Sequence, residues 1–197
     1  GSSVAAMSLT LTCIEAHAEG EPGRVIVDAD HLVPGDSIEE RFAYATRELH
    51  GLRRLVLHEP RGYPGLCAVL ALTPSNPRAD VAIIVMEQGA FTPRSASNTN
   101  CTVTSLLETG RIPMVEPVTT VTLETAVGLV SVDARCEGGK VIASVPITPT
   151  LDGNPHHLHD FSKRSFYALF RQQGLHASQH LEQIQWWQFK GLFSKQV

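Results

Sequence analysis

An α+β fold is what this sequence predicts, on three observations. Short alternating or continuous apolar runs recur from residue 9 to residue 145 and read as strands. In the same span only two stretches combine helical periodicity with capping residues. Strands and helices do not alternate regularly, so the helices should pack on a mostly antiparallel or mixed sheet. A chain of 197 residues with 43% hydrophobic content can fill the core of one large domain or two small ones.

Taken in order, residues 9–14 (LTLTCI) alternate β-branched or apolar with polar side chains and predict a strand, and residues 25–29 (VIVDA) predict a second. Between them Glu15, His17, Glu19 and Glu21 crowd around Gly20 and Pro22. If the first strand continues, alternation puts Glu15, His17 and Glu19 on one side, as an acid/base or metal cluster would require; charged turn residues are the plainer reading. Ser37 followed by Glu40 is a capping box that starts a helix running to about residue 50. Ile38, Phe42, Ala45 and Leu49 form its buried face, Arg41, Arg47 and Glu48 its solvated one, and Gly51 its end.

Residues 55–57 then predict a short strand, broken by the Pro- and Gly-rich loop HEPRGYPG. Arg61 in that loop could bind a substrate carboxylate or make an ordinary surface ion pair. Further strands are predicted at Cys67–Leu72 and Val81–Met86, the latter so continuously apolar that it belongs in the middle of a sheet. Residues 118–123, 127–132 and 141–145 complete the set, with Glu137-Gly138-Gly139-Lys140 as a tight hairpin.

The organising stretch is 91–110, FTPRSASNTNCTVTSLLETG, a polar loop that turns into a helix over about 98–109. Ser95, Ser97 and Asn98 are strong N-cap types, Val103, Leu106 and Leu107 give an apolar stripe, and Gly110 with Pro113 stops the helix. Backbone N–H groups and hydroxyls at such a terminus suit a carboxylate or phosphate, although an ordinary capped helix has the same pattern.

A formal charge of −4, a pI near 6.1 and no Lys/Arg run leave no electrostatic footprint for nucleic acid or an anionic membrane. Four widely spaced cysteines without a C-x-x-C pair point to reduced, mostly buried thiols, a cytoplasmic protein and no structural zinc site, while their even number also allows disulfides. Residues 1–8 read as a tag or a disordered N-terminus, lacking the regions of a signal peptide. From Pro146 the character changes: residues 146–197 form a divergent tail with amphipathic helical patterns at 161–170 and 181–193, whose aromatics Phe161, Phe166, Phe170, Trp186 and Phe189 are expected to be buried. His156, His157 and His159 lie together there without ligands at metal spacing.

EAHAEGEP (15–22), HEPRGYP (58–64), MEQ (86–88) and SASNTNCTVTSLLETG (95–110), in that order, resemble the proline racemase family, which includes hydroxyproline epimerases and trans-3-hydroxyproline dehydratases. The resemblance implies that residues 9–145 are one lobe, the N-terminal one, of a diaminopimelate-epimerase-like fold, in which two similar α+β lobes face each other across the substrate. It also implies cofactor-independent proton transfer at an amino-acid α-carbon, with one acid/base residue from each lobe. Ser95 stands where the first-lobe cysteine usually sits, following the serine variant M-S-G-S-N-T, with Arg94 in place of Met and Ala96 in place of Gly. On this reading Ser95 is catalytic, Ala96, Ser97, Asn98 and Arg61 bind substrate, and Glu15, His17 and Glu87 are supporting acid/base candidates. No metal and no cofactor are implied; the partner is a small carboxylic or amino-acid-like molecule, with a homodimer able to cover the exposed lobe face. The resemblance fades near Val145, and no opposing cysteine or threonine loop occurs in 146–197. Two other readings therefore stand beside it: a repurposed single-lobe isomerase or cyclase, and a catalytically silent truncated or spliced family member.

Overall fold

This computed structural model describes residues 9–146. Its strands are β1 (Thr12–Ala18), β2 (Glu21–Val27), β3 (Cys67–Leu72), β4 (Val81–Met86), β5 (Phe91–Thr92), β6 (Val118–Thr125), β7 (Gly128–Glu137) and β8 (Lys140–Pro146). Its helices are α1 (Ile38–Glu48), α2 (His50–Leu57) and α3 (Ala96–Glu108). The strands join in one mixed sheet, ordered β1-β2-β3-β4-β6-β7-β8, with β5 on β4. The pairs β2/β3 and β4/β6 are parallel because a helical crossover lies between their strands, α1 with α2 in one case and α3 in the other; the remaining pairs are antiparallel.

The two crossovers cover opposite faces. Alternation along each strand sends Val25, Val27, Val69, Ala71, Ile83 and Val85 toward Val103, Leu106 and Leu107 of α3. Ile26, Ala68, Leu70, Ile84 and Met86 point the other way, toward Ile38, Ala45, Leu52 and Val56 of α1 and α2. Because α3 also touches β1, β7 and β8, the sheet curls around it. β4 is buried along its whole length, as its continuous apolar run requires.

Several elements differ from expectation. Residues 55–57 are not a strand but the last turn of α2, and Gly51 does not end the helical region; only Leu49, at φ −96° and ψ 17°, separates α1 from α2. The i, i+4 pair Leu52 and Val56, with Arg53 and Leu57, gives this second segment a buried face that outweighs the glycine. Strand β1 starts later than predicted and runs on through the charged stretch to Ala18, where Glu19 (φ 52°) and Gly20 (φ 95°) make the turn. Helix α3 starts at Ala96 with Ser95 as N-cap. The capping box at Ser37 forms with an offset: Ser37 Oγ accepts from Glu40 N at 3.2 Å, but the Glu40 carboxylate takes the N–H of Asp36. Arg41, expected in solvent, is half-buried and donates to the Gly35 and Thr73 carbonyls while pairing with Asp30, which ties α1 to the β3–β4 turn.

All four cysteines are free, with Cys101 and Cys136 buried, Cys67 intermediate and Cys13 exposed. The expected tail helices, their aromatics and the histidine group lie outside the described residues, as do residues 1–8. Among the described residues no helix is long and apolar enough to cross a membrane.

Candidate functional site

Topology gathers four chain segments at one end of the sheet. Gly23 near the start of β2 lies beside Cys67 at the start of β3, and the next β3 residue, Ala68, pairs with Met86 at the end of β4. The first turn of α3 sits over the same corner: a Cβ placed on Gly23 would lie 2.9 Å from Cys101 Sγ and 3.3 Å from Asn98 Oδ1. Only glycine lets the helix seat this closely, because any side chain there would push α3 away from the strand.

Ser95 is the centre of this corner. Its extended backbone (φ −155°, ψ 132°) is that of an N-cap, and its carbonyl accepts both the Thr99 N–H at 3.0 Å and the Thr99 hydroxyl at 2.7 Å. Its Oγ accepts the Asn98 side-chain amide at 3.0 Å and the Asn98 N–H at 3.5 Å, with Ser97 Oγ 3.3 Å away. No acidic residue occupies the first turn of α3, so the positive end of the helix dipole is uncompensated by the helix itself. The N–H groups of Ala96 and Ser97, having no intrahelical carbonyl to reach, remain available to an anion.

Two thiols flank the corner. Burial pushes the Cys101 thiol up to about 11, helped by the Glu21 carboxylate and by Cys67. Burial also raises Cys67, an Asn98 hydrogen bond opposes that rise, and the Glu87 and Glu21 carboxylates add to it. Both groups are therefore neutral thiols at pH 7, and two carboxylates stand at the rim. From the sequence Cys67 and Cys101 were read only as reduced, mostly buried thiols and Glu21 only as one of the charged turn residues. The available signal was alternation in β3, which puts Cys67 on the side of Val69 and Ala71, the face that α3 covers.

The sequence-derived candidates divide. Ser97 is half-buried beside Ser95, Ala96 is exposed at the first helical position, and Asn98 is 2% exposed with its amide turned onto Ser95 rather than outward. Glu87 reaches the corner at the end of β4. Its carbonyl accepts from the buried Arg53, which also donates to the Gln88 carbonyl, while the Gln88 amide bonds the carbonyls of Leu57, Tyr63 and Leu66. The β4–β5 turn is thus stitched to α2 and to the loop that follows it.

Glu15 and His17 are not brought to Ser95. The β1 residues that face α3 are Ile14, Ala16 and Ala18, so Glu15 and His17 lie on the opposite side. Glu15 pairs with Arg24 at 2.5 Å, and Arg24 continues to the Val56 and Arg61 carbonyls. His17 Nδ1 accepts the Gly20 N–H at 3.3 Å and closes the β1–β2 turn. Arg61 is exposed, and the contact it makes here is through its backbone carbonyl, not its guanidinium. Two depressions, of about 270 Å³ beside Tyr63 and Gln88 and about 330 Å³ between β1 and the second half of α3, do not include Ser95. Among the described residues no three His, Cys, Asp or Glu side chains gather as metal ligands.

Known proteins match this chain over the same region. The family model described as "Proline racemase" matches residues 13–150. A 4-hydroxyproline 2-epimerase of Agrobacterium fabrum is 38% identical over 133 residues, covering 66% of this chain and 39% of the relative. The crystal structure of a hydroxyproline epimerase from Agrobacterium vitis, with bound trans-4-OH-L-proline, superposes with a TM-score of 0.63 at 37% identity, over 66% of this chain and 39% of that one. A solved protein from Agrobacterium radiobacter K84 with bound carbonate gives 0.64 at 39% identity, over 67% and 39%. The chain spans about two fifths of the length of these relatives, and the fold it shares with them is diaminopimelate-epimerase-like.

Proposed function

The chain belongs to the proline racemase family, and on that premise we propose that it supplies one acid/base face for cofactor-independent epimerisation at the α-carbon of a hydroxyproline-like amino acid. The single observation that carries this reading is Ser95, whose hydroxyl and neighbouring first-turn N–H groups converge at the uncompensated end of α3. The substrate carboxylate fits those N–H groups, which also stabilise the enolate-like character it gains when the α-proton leaves. In the reaction the C–H electron pair passes into the carboxylate system as one group takes the proton. A second group then delivers a proton to the other face, and Ser95 acts as one of the pair. Ser97 and Ala96 border the carboxylate position, and Glu87 and Glu21 at the rim supply negative charge for the substrate ammonium. Arg94, exposed beside Ser95, adds a cation that distinguishes this rim. The opposing face comes from outside the described residues, from a second copy of the chain or from a further lobe.

The test is incubation of the full chain with trans-4-hydroxy-L-proline in deuterium oxide, followed by NMR of the α-proton. Formation of the α-deuterated epimer that is lost in Ser95→Ala, with the fold unchanged by circular dichroism, supports the reading. Epimer formation that survives Ser95→Ala, or none at all in the wild type, overturns it. A dehydrated product in place of an epimer would move the reaction to elimination.

A further inference from the structure

A serine hydroxyl is a poor proton donor because the alkoxide it leaves is strongly basic, so a catalytic serine needs something to hold its oxygen once the proton has gone. Conventional arrangements use a histidine or lysine, and among the described residues none is bonded to Ser95. What the structure offers Ser95 Oγ is a pair of N–H donors from a single residue: the Asn98 side-chain amide at 3.0 Å and the Asn98 backbone N–H at 3.5 Å. A hydroxyl oxygen has two acceptor positions and one hydrogen. With both acceptor positions filled by Asn98, the Ser95 hydrogen must point elsewhere, toward Ser97 Oγ at 3.3 Å or toward a ligand seated on the helix terminus.

Asn98 is well placed to impose this. It is 2% exposed, and its Oδ1 lies over Gly23, where a side chain on the strand would displace it. Burial strengthens each N–H···O contact relative to the same contact in water, and the end of α3 adds its partial positive charge. We propose that Asn98 is the positioning residue of this site: its two N–H donors form an oxyanion site for Ser95 itself, so that the Ser95 hydroxyl serves as the proton donor of the lobe. In that step the Ser95 O–H bond breaks, its electron pair stays on Oγ between the two Asn98 donors, and the proton forms the new C–H bond at the substrate α-carbon. Removal of the first α-proton then falls to the opposing face.

This rests on the reading of Ser95 as the acid/base group, and two measurements separate the two. The first needs no turnover. Ser95→Cys places a titratable group at the same point, and its pKa is read in the full chain from the pH dependence of iodoacetamide alkylation mapped by mass spectrometry. With Asn98 present the Ser95→Cys thiol should titrate about one unit lower than in Ser95→Cys/Asn98→Ala. Equal values in the two backgrounds would overturn the proposal; should Asn98→Ala not fold, the isosteric Asn98→Asp, which replaces an amide donor by an acceptor, should move the thiol upward by at least as much. The second is the pH profile of epimer formation from trans-4-hydroxy-L-proline. Asn98→Asp should lower the rate about tenfold or more above the carboxylate's own pKa, with recovery as the pH falls and the carboxyl regains a hydrogen to donate. A uniform loss with an unchanged profile would reduce Asn98 to a structural cap. If the wild type forms no epimer, the functional reading fails, and the thiol titration still decides whether Asn98 stabilises negative charge at position 95.

Discussion

The two faces of the sheet solve the burial problem differently. On the outer face α1 and α2 are ordinary amphipathic helices: Ile38, Ala45, Leu52 and Val56 meet the sheet, and charged residues such as Glu39, Glu48 and Arg54 meet water. On the inner face α3 is enclosed by the curl and buries Asn98, Thr99, Thr102 and Ser105 together with its apolar residues. Three of those groups are satisfied at the helix itself: Thr99 donates to the Ser95 carbonyl, Thr102 to that of Asn98 at 2.8 Å, and the Asn98 amide to Ser95 Oγ, whereas the buried Ser105 hydroxyl has no partner among the described residues. A helix half in water advertises its face by contrast. An enclosed one can mix types when most of its buried hydrogen-bonding groups find partners.

The contrast can be broken most severely from the outer side. A Cβ on Gly62 would stand 2.2 Å from the Leu57 backbone carbonyl, and neither atom belongs to a flexible side chain. Gly62→Ala should cost about 3 kcal/mol or more in urea unfolding, through displacement of the loop that holds Gln88. On the inner side, Gly23→Ala meets the Cys101 thiol at 2.9 Å. There the helix can retreat slightly, so a loss of about 1–3 kcal/mol is expected, accompanied by a much larger loss of ligand binding at Ser95. Equal tolerance at both glycines would mean that the curl is looser than its contacts imply.

The faces should also differ in alkali. Cys101, 2% exposed, keeps its proton to about 11 in place of the model-compound 9.0. The folded protein thus binds a proton that the unfolded chain releases. The resulting stability is complete below pH 9.0 and falls away as the pH rises toward about 11. Cys101→Ala should flatten that fall, by about 1–2 kcal/mol after allowance for screening, in chemical unfolding at fixed pH values. The finest comparison is between the two caps. Ser37→Ala removes one first-turn bond and should cost about 1 kcal/mol; Ser95→Ala also strips the buried Asn98 amide of its acceptor and should cost about 2 kcal/mol, and only it should alter ligand response.

The same contrast explains what could be read from the sequence. The strands from Cys67 onward, apart from the two-residue β5, and the α1 cap were legible because their patterns are local: alternation, a continuous apolar run, Ser37 with Glu40. Residues 55–57 were misread because three apolar-leaning positions after a glycine look alike in a strand and in a helix's last turn, and only the buried Leu52–Val56 spacing decides between them. At the candidate site, Ser95 was visible as a cap. The direction of the buried Asn98 amide was not, because it depends on Gly23 and Cys67, which arrive from other strands. Glu15 and His17 shared a side as alternation required, but nothing local says which side α3 covers.

Strand order has a consequence for how this unit reaches its native state. The hairpin β1–β2 and the meander β6–β7–β8 join neighbours in sequence, so each closes only a short loop. The parallel pairs β2/β3 and β4/β6 must wait for whole crossovers to be laid down, the second of them α3 itself. The corner around Ser95 draws on β2, β3, β4 and α3, all of which flank those late pairings. Local pairing thus favours the two ends of the sheet before the corner around Ser95, and a chain halted midway would carry both of its antiparallel ends without that corner assembled.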